Sequence, residues 1–203
     1  MRSKNSPSGR TFADEARRKQ IVECAIEVIA EEGFAQASLA RIAQRAGMAK
    51  SVVLYHFANK GELVEQVLMA VSMASAELLP ERMSAAGGAR DKLRVAIETI
   101  AEFVDGNRTY ALAGLETWNQ TRSLPGRARL AEDPAAAGVE DIRLLLADGQ
   151  ASGELGEFDP HVVAVMFRQA VDAITFEAAI DPTADLKAFA AQLAVMFDRM
   201  ISP

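Results

Sequence analysis

Cysteine is nearly missing from this chain. Cys24 stands alone among 203 residues, so no internal disulfide can form and a cysteine-rich zinc site is excluded. Histidine is almost as scarce, with only His56 and His161, and no histidine-built metal centre is expected. Aromatic residues make up 6%, and tryptophan occurs once, at Trp118. Apolar and polar residues nowhere alternate over six positions between turn residues, so strands are not expected. No apolar run approaches the roughly 18 residues of a membrane span. Residues 1–10 lack the apolar centre of a secretory signal. A glycine-rich phosphate loop, a nucleophile elbow and a paired-histidine motif are also missing, so no catalytic residue and no cofactor are expected. These absences point to a cytoplasmic protein that is not an enzyme.

What is present is an average bulk composition, 50% apolar and 25% charged, with the charge unevenly spread. The formal net charge is −6, yet residues 1–60 carry +4 and the remainder −10. Such a split fits a basic module for a polyanion attached to an acidic body.

Helical spacing runs through the chain, and the fold class it predicts is all-α with about nine helices. A first helix over residues 14–32 places Ile21, Cys24, Ala25, Val28 and Ile29 on one face, which makes Cys24 a small core residue rather than a reactive thiol. Gly33 closes that helix in the left-handed conformation. Ser38 caps a short second helix that Gly47 stops, and a third covers residues 49–57. Asn59 opens a longer helix that Pro80 ends at about residue 79. Leu93, Ile97, Ile100 and Val104 mark a helix closing at Gly106, and another covers about residues 109–122, ended by Pro125. Asp-Pro then occurs at 133–134, 159–160 and 181–182, each an aspartate cap with proline in the first turn, predicting helices over 134–152, 160–180 and 182–201.

The two short helices joined at Gly47 form a helix-turn-helix candidate. A lone helix of about eight residues is unstable in water and must be clamped from behind. Ile42, Ala43, Met48, Val53 and Phe57 supply the clamp. The outward residues are then Lys50, Ser51, Val52, Leu54, Tyr55 and His56. Lysine and serine reach phosphate or base edges, valine a thymine methyl, and tyrosine and histidine donate to phosphate. Ser38 presents a helix N-terminus to a second phosphate, and Lys60 sits at the start of the next helix.

The run Phe34, Ala37-Ser38-Leu39, Arg41-Ile42-Ala43, Ala46-Gly47-Met48, Lys50, Tyr55-His56-Phe57, Lys60, Leu63 resembles the DNA-binding domain of the tetracycline-repressor (TetR) family, over about residues 15–68. The resemblance implies DNA contacts from Ser38, Arg41, Lys50, Ser51, Val52, Leu54, Tyr55, His56 and Lys60. Ala49 stands where a capping serine is usual, Ser51 where glycine is common, and the tyrosine comes at 55 rather than 54. The implied domains are a basic arm over 1–12, a three-helix helix-turn-helix domain over 13–60, and a helical ligand-binding and dimerisation domain over 61–203.

For the second domain the resemblance implies a small-molecule effector and a homodimer paired through its last two helices. Phe103, Tyr110, Glu116, Trp118, Arg122, Met166, Phe167 and Ala170 are the candidate pocket residues, with Glu116 and Arg122 as polar anchors. The helix after Pro160 is apolar nearly all round, more than one neighbour can cover. Val163, Phe167, Ala170 and Ile174 there, with Phe189, Leu193, Met196, Phe197 and Met200 on the last helix, are the expected dimer contacts. A two-fold protein suits a palindromic operator on double-stranded DNA. The function implied is a ligand-responsive transcriptional repressor; the alternative is an all-α ligand-binding protein or enzyme whose helix-turn-helix is merely structural.

Overall fold

The computed structural model describes residues 12–121 and 134–203, and within them the chain is helical with no strand. Ten helices follow one another: α1 (Phe12–Glu32), α2 (Leu39–Arg45), α3 (Lys50–His56), α4 (Lys60–Ala76), α5 (Leu79–Ala85), α6 (Ala89–Gly106), α7 (Arg108–Thr121), α8 (Pro134–Ala151), α9 (Pro160–Ile180) and α10 (Leu186–Ile201). The expected basic arm (Arg2, Lys4 and Arg10), Arg122 and Asp133 lie outside the described residues.

Local chemistry explains most of the boundaries. The φ of Gly33 is +86° and that of Gly47 is +65°, as expected for left-handed helix stops. Asp159 accepts hydrogen bonds from His161 N at 2.8 Å and Val162 N at 3.2 Å, with Pro160 in the first turn of α9. Two expectations fail. Pro80 does not end the fourth helix: α4 stops at Ala76, and Pro80 lies in the first turn of α5, where its missing amide costs nothing. Asp181-Pro182 does not open the last helix either. The Asp181 carboxylate folds onto Thr183, accepting from its N at 2.8 Å and its Oγ1 at 2.7 Å, a side-chain turn that competes with a helix start. Asp185 caps α10 instead, accepting from Ala188 N at 2.9 Å, and Leu186 after it is buried.

Residues Lys60–Ala85 also correct the reading that no apolar run is long enough for a membrane. The segment has span-like length and a mean hydropathy of 1.3 over its most apolar window. It is nevertheless divided into α4 and α5, and Leu63, Val64 and Val67 are buried within the protein.

Two apolar cores organise the chain. The first joins Ile21, Ala25, Ile26, Val28 and Ile29 of α1 to Ile42, Ala43, Val53, Phe57, Leu63 and Val67, and takes in Ala113 from α7. Leu63 and Val67 extend this core beyond the border expected at residue 60. The second is built from Leu93, Ile97, Phe103, Val104, Leu146, Val163, Phe167, Ile174, Leu186, Phe197 and Ile201, among others. Tyr110 packs against both. Helix α7 is therefore the shared wall. It lies on α1 and α4 on one side and meets α6 and α9 on the other. Its approach to α4 is close at Gly114, where an added Cβ would come within 2.8 Å of Val71 Cγ1.

Candidate nucleic-acid interface

The turn between α2 and α3 is built from backbone bonds around Gly47. Met48 N donates to Ala43 O at 2.9 Å and Gly47 N to Gln44 O at 3.2 Å, the paired closure that a left-handed glycine permits. Ser38 accepts from Arg41 N at 3.2 Å and so caps α2. Ala49, the N-cap of α3, makes no side-chain cap bond. Helix α3 has seven residues and spans about 10 Å. Val53 and Phe57 are fully buried beneath it, with Ile42 and Ala43 beside them and Met48 half-buried against the same core.

The opposite face of α3 is open. Lys50, Ser51, Leu54 and Tyr55 are exposed, Tyr55 by 78%, while Val52 and His56 are half-buried. The Tyr55 and His56 rings meet edge-on with centroids 5.0 Å apart. One side of the short helix is thus consumed by packing, and the other presents a hydroxyl, a phenol, an imidazole, an ammonium and two aliphatic groups to solvent.

Most basic side chains of this region are occupied within the protein. Arg41 grips Glu32 through Nε, at 3.0 and 2.8 Å to the two carboxylate oxygens, and through Nη2 at 2.6 Å. Its hydrogen bond holds the Glu32 carboxyl below the ordinary carboxylate range. Arg45 pairs with Glu31 and, at 3.2 Å, with Glu27, and its hydrogen bond likewise lowers the Glu31 pKa. Lys60 donates from Nζ to Phe34 O at 2.7 Å, with the ammonium 4.1 Å from the centre of the Phe34 ring, and burial pulls its pKa down. Among the described residues, Lys50 has no such partner. Arg41 and Lys60, both expected to reach DNA, are therefore also struts of the domain.

Arg18 is a contributor that the sequence reading missed. From α1 it donates to His56 O at the end of α3, reaches Glu62 Oε1 at 3.3 Å, and lies 4.2 Å above the Phe57 ring. A cation against the last carbonyl of α3 suits the helix dipole and pins the C-terminal end of the short helix. Nothing in its spacing from residue 56 signals this contact. Its neighbour Glu62 carried a readable signal, since Asn59-x-x-Glu62 is a capping pair: Asn59 Oδ1 accepts from Glu62 N at 3.0 Å, while Glu62 Oε2 accepts from Ala58 N at 2.8 Å.

The expected pocket residues do not converge. Phe103 and Phe167 are buried in the second core, where Phe167 stacks edge-on with Phe197 at 5.1 Å, and Tyr110 and Ala170 pack at its border. Trp118 and Met166 are exposed. Glu116 points to the other body, accepting from Phe34 N at 3.4 Å. Two open grooves exist elsewhere. One of about 500 Å³ lies between α1 and the start of α7, lined by Glu23, Glu27, Glu31, Arg108 and Tyr110. One of about 440 Å³ lies between α5 and α6, lined by Arg82, Arg94, Glu98, Thr99 and Glu102. Of the expected pocket residues that are described, only Tyr110 borders either.

Four of the expected dimer residues turn inward into the chain's own core: Val163, Phe167 and Ile174 because α6, α8 and α10 pack on α9, and Phe197 because α6 and α9 pack on α10. Ala170, Phe189 and Leu193 are half-buried against the same core. The outward apolar residues are Val162, Val165, Met166, Phe176 and Ile180 on α9 and Val195, Met196 and Met200 on α10.

Residues 21–67 match the family model described as bacterial regulatory proteins, tetR family. The chain is 26% identical over 115 residues to the HTH-type transcriptional regulator BetI 1 of Chromohalobacter salexigens, covering 56% of this chain and 57% of that protein. It resembles the fatty acid degradation regulator FadR from Bacillus halodurans with a TM-score of 0.76 and 20% identity, over 96% of both chains. FadR from Bacillus subtilis in complex with stearoyl-CoA gives a TM-score of 0.76 and 24% identity, over 88% of this chain and 96% of that one. The chain spans about half the length of the curated relatives it matches. Residues 21–67 are thus similar to the tetR family of bacterial regulatory proteins, and the fold of the described residues is that of the solved regulators.

Proposed function

We propose that the protein is a ligand-responsive transcriptional regulator, acting as a repressor in the cytoplasm, that inserts α3 into the major groove of an operator half-site. The observation that carries this reading is the division of α3 into a fully packed inner side (Val53, Phe57) and an open polar side that exposes Lys50, Ser51 and Tyr55. The base-facing set is Lys50, Ser51, Val52, Leu54 and Tyr55. Ser38 and His56 approach phosphates, and Arg41 and Lys60 bring charge to the same edge while bracing it. A symmetric homodimer through the outward faces of α9 and α10 would supply the second half-site contact. A small molecule acting on the C-terminal body would change operator affinity by favouring one arrangement of the two heads.

The test is selection of duplexes from a random pool by the wild-type chain, followed by titration. Lys50→Ala is expected to weaken binding to the selected duplex and to reduce the salt dependence by about one counterion, with Tyr55→Phe also weakening it. Failure of the wild type to retain any duplex, even at low salt, overturns the reading.

A further inference from the structure

Phe34 sits in the turn between α1 and α2, immediately after Gly33. This turn closes on itself: Gly33 N donates to Ile29 O at 3.0 Å, Gln36 N to Gly33 O at 3.2 Å, and Ala37 N to Phe34 O at 3.3 Å. It gains nothing local from side chains far along the chain. Yet both polar groups of the Phe34 backbone are taken by such side chains. The N–H donates to Glu116 Oε1 on α7 at 3.4 Å, and the carbonyl accepts from Lys60 Nζ at the start of α4 at 2.7 Å. The Lys60 ammonium also faces the Phe34 ring. Phe34, Lys60 and Glu116 are each half-buried, where such bonds are less weakened by water than at an open surface.

The three residues meet at a mechanically informative place. Helix α7 contributes Ala113 to the first core and Ala111 to the second, so it belongs to both bodies. Three residues beyond Phe34 the chain reaches the fully buried Ala37 and then Ser38, the cap of α2. A shift of α7 along α1 must therefore break the Glu116 bond or drag the turn that sets the start of α2. Lys60 ties α4 to that same turn.

We propose that the Glu116, Phe34 and Lys60 bridge is the joint through which α7 of the C-terminal body and the α2–α3 reading head displace one another. Glu116 and Lys60 are positioning residues in this joint; neither needs to touch the effector. The proposal rests on the DNA-binding reading above for its direction, but the bridge can be measured without DNA. By thermodynamic reciprocity, whatever α7 does to the reading head, occupation of the reading head does to α7.

The experiment is amide hydrogen exchange on the full chain, free and bound to the duplex selected by the wild type. The variants are Glu116→Ala, Glu116→Gln and Lys60→Met, each first checked for wild-type helicity. In the free protein, Glu116→Ala is expected to speed exchange at the Phe34 amide by roughly fivefold, and Glu116→Gln by less, because its amide oxygen still accepts. Lys60→Met is expected to speed exchange over residues 34–38, and combining it with Glu116→Ala should add less than the sum of the two. In the wild type, duplex binding is expected to slow exchange in α7 as well as in α2 and α3. In Glu116→Ala the slowing in α2 and α3 should remain while that in α7 is lost, an effect that a purely local stabilising role does not produce. A Phe34 exchange rate unchanged by Glu116→Ala overturns the bridge, and full retention of duplex-induced slowing in α7 overturns its role as a joint. If the wild type retains no duplex, the DNA-binding reading falls separately, and exchange at Phe34 alone decides whether the bridge stands.

Discussion

At the residue scale, the buried hydroxyl of Thr117 carries a cost. Thr117 on α7 is fully buried and its Oγ1 has no hydrogen-bond partner among the described residues, whereas one turn later the Thr121 hydroxyl donates to Thr117 O at 2.7 Å. A buried polar group without a partner costs roughly 1–3 kcal/mol, and a methyl of the same shape removes that cost. Thr117→Val is accordingly expected to raise stability by about 1 kcal/mol, read as a higher denaturation midpoint at unchanged slope. A loss of stability would mean that the hydroxyl has a partner. The carboxylates around Arg41 and Arg45 act in the opposite sense. Glu31 and Glu32 have lowered pKa values because arginine hydrogen bonds favour their charged forms. Their contribution is complete above the ordinary carboxylate range and is lost as pH falls through that range toward the lowered folded values. Acid titration of stability is expected to show this loss, and Glu32→Gln should flatten it. An acid limb unchanged in that variant would remove the Arg41 pair as its source.

At the element scale, α3 depends on what surrounds it rather than on its own helix tendency. It has seven residues and no side-chain cap, and is held by the Gly47 closure at one end and Arg18 at the other. Space around Gly47 is open, with nothing within 4 Å of an added Cβ, so the cost of a side chain there is purely conformational. With φ at +65°, Gly47→Ala is expected to destabilise the protein by roughly 1–2 kcal/mol. Equal stability, measured by denaturant unfolding, would show that the left-handed turn is dispensable. The spacing of Ser38, Gly47, Val53 and Phe57 made this unit readable without coordinates, since capping and left-handed stops are local events. Arg18, Glu32 and Glu116 were not readable in their roles, because each acts on a residue whose neighbourhood only the packing of α1 and α7 creates.

At the scale of the whole molecule, α9 and α10 each divide their apolar residues between the chain's own core and solvent. Inward residues such as Phe197, 7% exposed, and outward ones such as Met196, 67% exposed, are adjacent in sequence and chemically alike. They separate the two roles experimentally. Met196→Asp is expected to give a folded monomer by sedimentation, while Phe197→Asp places a charge in the second core and unfolds the chain. A dimer persisting in Met196→Asp would move the proposed interface away from this face. Charge belongs to this scale too: although residues 1–60 sum to +4, Arg41, Arg45 and Lys60 are engaged within the protein, and among the described residues Lys50 on α3 has no such partner.

Periodicity and capping alone determined that the chain is helical, where its helix-turn-helix lies, and which residues of α3 face away from the core, because these depend on neighbours within one or two turns. They erred at Pro80 and at Asp181, where one residue type serves equally at a helix start and in a turn. Which side of α9 is spent in the chain's own core, that Glu116 reaches Phe34 instead of a pocket, and that Arg41 and Arg45 pair with carboxylates of α1 were decided only by tertiary packing. Those outcomes depend on which surfaces meet across tens of residues, and an apolar or charged side chain carries no label naming its distant partner.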